Sequence, residues 1–530
     1  MTENLQNIAN IFGDSFPIIK PHLDLALASA ADPGRSLVYL ERLLESANES
    51  LLHALIKNPR VIESLVTIFS GSQFLTEIIL RNPNNVHLLH HRNLLTQRKS
   101  AGTIHIEATK AIHEIPEAEK LDAIRRYQRG EILRIGASDL LDLYDLRTVT
   151  QQLSNLADGL VRACLDLASQ QSGISANDFV VIAMGKHGAE ELNYSSDIDL
   201  LFVAAHDPME KLKLGERLID NIGGVTPEGF LYRVDMRLRP WGRDGFLVTT
   251  LDGYLQYIQS HARLWEKQAL LKARPIAGDI TLGEKLLASV EPNIFSHAPE
   301  EVRASVFSMK QRTEQVLQQK GRDWGEVKLG EGSIRDVEFV VQYLQLAYGN
   351  QYPDLRGRAT LQTLPRLAHH HLLTDEETRI LADGYTLMRT IEHYIQVMHY
   401  QQTYTMPSDP ESLALLAGRL GFTNTDALIH RYDEHRKAIR AIYLRRVGNE
   451  PVSEPQSQVV QHIARLGADY VDSFSNEEIQ SHADLARGIN EQTPAIIEAQ
   501  PLNENTWRVT VVGYDYPGEL SIICGLFFVF

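Results

Sequence analysis

The sequence predicts a multidomain chain of α and α+β type. Three observations carry that reading. At 530 residues the chain is long enough for several ordinary domains. Apolar residues recur at helical spacing up to about residue 165, and again from 286 to about 450. Between those stretches, from about 166 to 285, short β-rich runs alternate with helical segments, the pattern of an α/β or α+β domain.

The N-terminal segment, residues 1–165, reads as helix because Leu23, Leu25, Leu27 and then Leu37, Leu40, Leu43 and Leu44 follow largely helical spacing, broken at Pro33-Gly34. The run from Arg125 through Gly136 is a helix with a basic face, read first as solvated and alternatively as contact with the domain that follows. In 166–285 the predicted strands are Phe179–Met184, Asp199–Ala204, Leu231–Leu238 and Gly245–Thr249, with a helix over Glu210–Ile222. Residues 286–450 return to helix, with apolar spacing of three and four in Ile334–Tyr348, Asp375–Tyr400 and Thr425–Val447. Residues 451–498 read as a linker, rich in Pro, Ser and Gln at its start, followed by a polar helical stretch. From 499 onward Trp507–Gly513 reads as a strand, and Pro517-Gly518 opens a helix. A strand and half a helix cannot bury a core alone, so the sequence reads as stopping inside a module.

Composition excludes several classes. A net charge of −16 argues against broad, non-specific nucleic-acid binding, though not against a local pocket for one nucleotide. Cys164 and Cys524 give neither a disulfide framework nor a cysteine zinc site. The start, Met1-Thr-Glu-Asn-Leu, lacks a basic region followed by an apolar one. The late apolar run Leu520–Phe530 falls short of the about 20 residues that span a bilayer. A cytoplasmic location without membrane association is the expectation.

Chemistry concentrates in three pieces. Gly185-Lys186-His187-Gly188 follows a strand, where a glycine turn brings backbone amides close to phosphates. From those residues alone a plain tight turn is the better reading. About ten residues later stands Ser195-Ser196-Asp197-Ile198-Asp199. Residues two apart in a strand share a face, so Asp197 and Asp199 present two carboxylates together while Ile198 and Leu200 enter a core. Such carboxylates repel unless a cation lies between them, and oxygen-only ligands suit Mg²⁺ with substrate phosphates. Ser196 is placed to bond a phosphate or hold a carboxylate. The third piece, Tyr232-Arg233-Val234-Asp235-Met236-Arg237-Leu238-Arg239-Pro240, alternates strictly. On one face Asp235 supplies a third carboxylate, and Arg237 and Arg239 offer forked hydrogen bonds to phosphate oxygens. A surface ion-pair ladder is the competing reading. Together the three pieces are the parts of a two-metal nucleotidyl transfer. His187 reads as a tolerated turn residue, and His369-His370-His371 as a helix end.

These residues resemble a known family. Gly185-Lys-x-Gly, then Glu191-Leu-Asn-x-Ser-Ser-Asp-Ile-Asp-Leu, then Tyr232-Arg-Val-Asp-Met-Arg-Leu-Arg-Pro look like glutamine synthetase adenylyltransferase/adenylyl-removing enzymes. So do Trp265–Arg274, the run Lys328-Leu-Gly-Glu-Gly-Ser-Ile334-Arg335-Asp336-Val-Glu338-Phe339, and Gly71-Ser72 with Arg81-Asn-Pro83. The resemblance covers roughly 30–450. It implies a polymerase β-like nucleotidyltransferase domain flanked by helical domains. Asp197, Asp199 and Asp235 would be the catalytic and Mg²⁺-holding residues. Gly185, Lys186, Ser195, Ser196, Arg237, Arg239 and Lys272 would bind nucleotide or phosphate. The implied protein substrate is glutamine synthetase, with ATP, ADP and phosphate as small substrates and products, and PII protein and glutamine as effectors. The family carries two such units in tandem, and the Asn193-x-Ser-Ser-Asp-Ile-Asp wording is closer to the AMP-removing one. Val509–Ile522 resembles the start of an ACT domain, with Asp515 and Gly518 at its ligand-binding turn. A uridylyltransferase acting on a PII-type regulator, or a non-catalytic nucleotide- or glutamine-sensing module, are the alternatives.

Overall fold

The molecule is known from a computed structural model, which describes residues 2–319, 321, 324–399, 403–448, 474–489, 493–503 and 506–513. They fall into two units, Met1–Gly448 and Asn449–Phe530.

In the first unit the N-terminal residues form a succession of helices from Thr2–Phe12 to the long Leu146–Ser172. Many begin at a side chain that accepts an otherwise unpaired amide. Asp32 accepts from the Arg35 N–H, Asn48 from Leu51, Ser72 from Leu75, Ser100 from Thr103 and Asp145 from Thr148. The leucine spacing has the expected consequence: Leu37, Leu40, Leu43 and Leu44 are all buried.

The long helix delivers the chain to a mixed five-stranded sheet: β1 (Phe179–Met184), β2 (Ile198–Ala204), β3 (Val234–Asp235), β4 (Val248–Thr250) and β5 (Arg274–Gly278). β1 lies between β2 and β5 and is antiparallel to both. β3 and β4 share the other edge of β2 and run parallel to it, β3 beside Ile198 and Asp199, β4 beside Phe202–Ala204. Both faces are covered. Phe179, Val181, Ala183, Leu200 and Phe202 join one core with the N-terminal helices. Val180, Ile182, Met184, Leu201 and Val203 join a second core with helices from the later chain, among them Ile280–Ile294. Two-sided burial is why β1, and β2 past Asp199, read as unbroken apolar runs. Helices Pro299–Gln319, Ile334–Tyr348, Thr360–His369, Asp375–His399, Pro410–Arg419 and Thr425–Arg446 complete the unit.

Two expectations need correction. The alternation over Leu231–Leu238 yields only the two-residue β3. Past it the backbone turns away because side chains compete with the ladder. The Arg237 N–H donates to the Asp235 carboxylate at 2.8 Å, and Arg239 donates to the carbonyls of Met236, Arg243 and Gly245 at 2.9, 2.8 and 3.0 Å. The basic helix is only partly solvated: Arg126 is exposed, but its neighbours are not. Arg125 is fully buried and donates to the carbonyls of Gly229, Asn221 and Gly224, while Gln128 donates to Leu231 O at 2.8 Å. Arg129 pairs with Glu228. The helix thus clamps the loop that leads into β3.

In the second unit, helix Asn476–Ala486 opens with a reciprocal cap between Ser475 and Glu478. β6 (Ala495–Asn503) and β7 (Thr506–Gly513) form an antiparallel hairpin. β7 matches the expected strand. β6 replaces the expected tail of polar helix, because its residues alternate along a partner strand rather than around a cylinder. Asp515, Gly518 and the helix expected after them lie outside the described residues. No helix among the described residues is long and apolar enough to cross a membrane.

Replacing Arg125 by Met strands three buried carbonyls at the junction of the basic helix and the β3 loop. We expect a loss of roughly 2–4 kcal/mol in urea unfolding. An unchanged midpoint would show that the clamp carries no stability.

Candidate active site

The site is organised around the end of β1. The chain leaves Met184 through a single helical turn, Gly185–Gly188. Gly185 has φ +57°, and a Cβ there would stand 2.4 Å from the Asp199 Oδ2. At Gly188 a Cβ would fall 1.9 Å from the Lys272 carbonyl oxygen. Gly188 is therefore demanded by close approach of backbone, and Gly185 by its positive φ, with the Asp199 carboxylate in the space a Cβ would take. The Asp199 carboxylate lies against the turn itself.

Register explains how that carboxylate meets its partner. Asp199 pairs with Met184 of β1 on one side and with Asp235 of β3 on the other. Neighbouring parallel strands thus place two acids side by side. Burial, then the charge of Asp235 and that of Asp197, push the Asp199 carboxyl up to about 6, with Lys328 opposing. Burial also works against ionisation of Asp235, but the Arg237 hydrogen bonds outweigh it and hold that carboxyl below its usual range. Arg237 grips Asp235 with Nε at 2.8 Å and Nη2 at 2.5 Å. Asp197, just before β2, receives Arg233 Nε at 2.5 Å. Among the described residues no three acids or imidazoles form a ready metal cage. Arginines engage Asp197 and Asp235. The donor set nonetheless fits a hard divalent cation, since Asp199 carries the signature of missing positive charge next to Asp235.

The remaining predicted residues divide into two groups. Lys186 points from the turn to Glu392, 2.5 Å away, and burial pushes its ammonium down to about 7 against the pull of that carboxylate. The Ser195 amide meets Gln396 Oε1 at 3.4 Å and its carbonyl accepts from Arg233 at 3.0 Å, while Ser196 Oγ accepts the Asn193 amide at 3.1 Å. These three lie on the turn or on the loop that carries Asp197. Arg239 and Lys272 do not point the same way. Arg239 is committed to three carbonyls of its own loop. Lys272 is buried between Glu338 at 2.6 Å and Glu191 at 3.5 Å, whose charges outweigh burial and raise its pKa.

Several residues that matter here were not singled out by sequence. Arg389 donates to Glu191 O at 2.7 Å and Asn193 Oδ1 at 3.1 Å, and pairs with Glu392 at 3.2 Å. Asp158 on the long helix bonds His187 Nε2 at 2.7 Å and Arg274 Nη1 at 2.6 Å. His187 is thus a buried pin between turn, helix and β5, not a merely tolerated residue. Asp336, in the run Lys328–Phe339, is fully buried and pairs with Lys310 at 2.5 Å. The histidine run does end a helix: Thr360–His369 stops there, and His370 bonds Asp354. The one sequence signal for Arg389 and Glu392 is a charge pair three apart within an apolar helical face.

The Glu392 and Glu338 charges give a pH prediction. Burial opposes both, but Lys186 with Arg389 and Lys272 with Arg335 outweigh it, and both pKa values fall from 4.5 to about 2. A depressed carboxyl contributes stability above its unfolded pKa and loses it as pH drops through the folded one. Urea midpoints should therefore be flat above pH 4.5 on this account and fall as the pH approaches about 2. Glu392→Gln should lose roughly 3–5 kcal/mol at neutral pH and show a shallower acid slope. Equal acid slopes in the two proteins would refute the assignment.

Known sequences are similar to the stretch that holds this geometry. Residues 62–289 match the family model described as glutamate-ammonia ligase adenylyltransferase, and 302–445 the one described as GlnD PII-uridylyltransferase. Among curated proteins, the bifunctional glutamine synthetase adenylyltransferase/adenylyl-removing enzyme of Hahella chejuensis is 34% identical over 71% of this chain and 41% of its own length. That of Streptomyces avermitilis is 33% identical over 84% of this chain and 46% of its own. The Brucella melitensis protein is 32% identical, over 76% and 44%. The chain spans less than half the length of these curated relatives. The stretch that holds Asp199, Asp235 and the Gly185 turn is thus the one similar to the glutamate-ammonia ligase adenylyltransferase family, over residues 62–289.

Proposed function

We propose that this chain is a nucleotidyltransferase that removes AMP from a tyrosine of glutamine synthetase, or adds it there. In this reading residues 166–285 form a polymerase β-like catalytic domain between helical domains at 1–165 and 286–450. The observation that carries it is the in-register pair Asp199–Asp235, packed against a turn whose glycine leaves room for the carboxylate. The names of the relatives supply the substrate.

Asp197, Asp199 and Asp235 would hold Mg²⁺, which when bound neutralises charge on phosphate oxygens. The chain's own part is positioning. The Gly185 turn admits a phosphate close to the backbone. Arg233 and Arg237 are exposed and adjacent, so their forks can pass from the aspartates to an incoming phosphate. In the removing direction an oxygen of inorganic phosphate bonds to the phosphorus of AMP-tyrosine. The bond to the tyrosine oxygen breaks, ADP leaves, and the phenol oxygen takes a proton. In the adding direction the tyrosine oxygen attacks the α-phosphorus of ATP and pyrophosphate leaves. The Asn193–Asp199 wording favours removal. PII protein and glutamine fit as effectors, and 499–530 as the opening of an ACT-like regulatory module after a 451–498 linker.

A second reading, uridylyl transfer to a PII-type protein, is favoured by the match over 302–445. Intact-mass spectrometry separates the two. Glutamine synthetase carrying AMP-tyrosine, given this protein, phosphate and Mg²⁺, should lose AMP. Asp199→Asn should slow the loss by about a thousandfold. Mass gain on a PII-type protein with UTP, and no change on glutamine synthetase, would replace this function with the second.

A further inference from the structure

One cation beside the site stands apart from its neighbours. Lys186, Lys272, Arg233, Arg237 and Arg389 each meet a carboxylate. Lys328 is half-buried, and among the described residues it forms no ion pair. Its ammonium lies 4.0 Å from the centroid of the Tyr404 ring, and Lys186 Nζ lies 5.8 Å from the same ring. Its charge reaches Asp199, Glu392 and Lys186. It thus shares an aromatic ring with the lysine of the glycine turn.

The backbone that carries it is fixed from several directions. Val327 N–H donates to Tyr404 O at 2.8 Å, and Met406 N–H to Gly325 O at 2.9 Å. The amides of Lys328 and Leu329 both donate to Glu326 Oε1 at 3.2 Å. The Lys328 carbonyl accepts Ser333 Oγ at 2.8 Å and the Arg335 amide at 3.0 Å. Lys310 holds the carbonyls of Leu329 and Gly330 at 2.9 and 2.5 Å. Only the Lys328 side chain remains uncommitted. A half-buried ammonium that rests on an aromatic face and touches no carboxylate among the described residues is well placed to take an anion that a ligand brings.

We propose that Lys328, framed by Tyr404, is an anion-binding residue of the site, and that it receives phosphate oxygens. This rests on the nucleotidyl-transfer reading above. The oxygens can belong to a nucleotide's terminal phosphate or to free inorganic phosphate. Both present the same chemistry, and a point-charge donor with three N–H groups suits either.

The test uses the full chain with Mg²⁺, and compares wild type with Lys328→Met and Lys328→Arg. Calorimetric titrations with ADP, AMP and inorganic phosphate are read beside phosphorolysis kinetics. Lys328→Met should weaken ADP or phosphate by roughly ten- to a hundredfold, leave AMP nearly unchanged, and keep the wild-type unfolding temperature. Lys328→Arg should recover most of the loss. Weakening of ADP alone assigns the residue to the nucleotide, and weakening of phosphate alone assigns it to the attacking anion. Unchanged binding of both by a folded Lys328→Met, or no binding by wild type, overturns the proposal. The two readings fail separately. A Lys328-dependent anion site in a protein that leaves AMP-tyrosine untouched sinks the substrate but keeps the site. Normal phosphorolysis by Lys328→Met, with both the KM for phosphate and the affinity for ADP unchanged, does the reverse.

Discussion

The site depends on a relay of buried charges that joins the glycine turn to helices far along the chain. Lys186 reaches Glu392 across 206 positions of sequence. Glu392 meets Arg389, which in turn holds the carbonyl of Glu191 and the side chain of Asn193. Glu191 touches Lys272, and Lys272 is closed off by Glu338. Burying so many ions costs desolvation that apolar residues would avoid, so stability alone does not explain them. Their consequence is geometric. The turn, the loop carrying Asp197 and the approach to β5 are each tied to the Ile334–Tyr348 or Asp375–His399 helix. Removing Glu392 leaves Lys186 buried without its carboxylate, and removing Lys272 does the same to Glu338.

Within that frame the acids are arranged under tension. Parallel pairing of β2 and β3 sets Asp199 opposite Asp235, and the burial of Asp199 prevents water from relieving the repulsion. Arg233 and Arg237 quieten Asp197 and Asp235 but leave Asp199 with a raised pKa. A structure that quenched all three acids would have no use for a cation. One that quenched none would not keep β3 beside β2. The arginine forks are a reversible compromise, because a phosphate can take them over as positive charge arrives at the acids.

Much of this was legible in sequence, for physical reasons. β1 occupies Phe179–Met184 as expected, and Ile334–Tyr348 is the helix expected, because burial on a fixed period writes itself into the apolar pattern. The convergence of Asp199 with Asp235 followed from motif order. The failures share another cause. Alternation over Leu231–Leu238 looked like a strand, yet Arg237 and Arg239 bond locally and end it. The basic helix looked solvated, yet Arg125 is sealed among carbonyls. Lysines and arginines read as surface unless a distant partner is known. Glu392, Arg389 and Asp158 are such partners, and separation in sequence hides them. β6 escaped because a strand whose partner is its own hairpin arm need not carry an apolar face.

The central claim is that Asp199 and Asp235 form a cation-dependent nucleotide site beside Gly185. Anomalous diffraction from crystals grown with ADP and Mn²⁺ tests it most directly. The account predicts a manganese peak between the two carboxylates, ADP phosphates at the glycine turn, and Arg237 moved off Asp235. A bound ADP elsewhere, with the Arg237–Asp235 pair intact and no manganese beside Asp199, would contradict it.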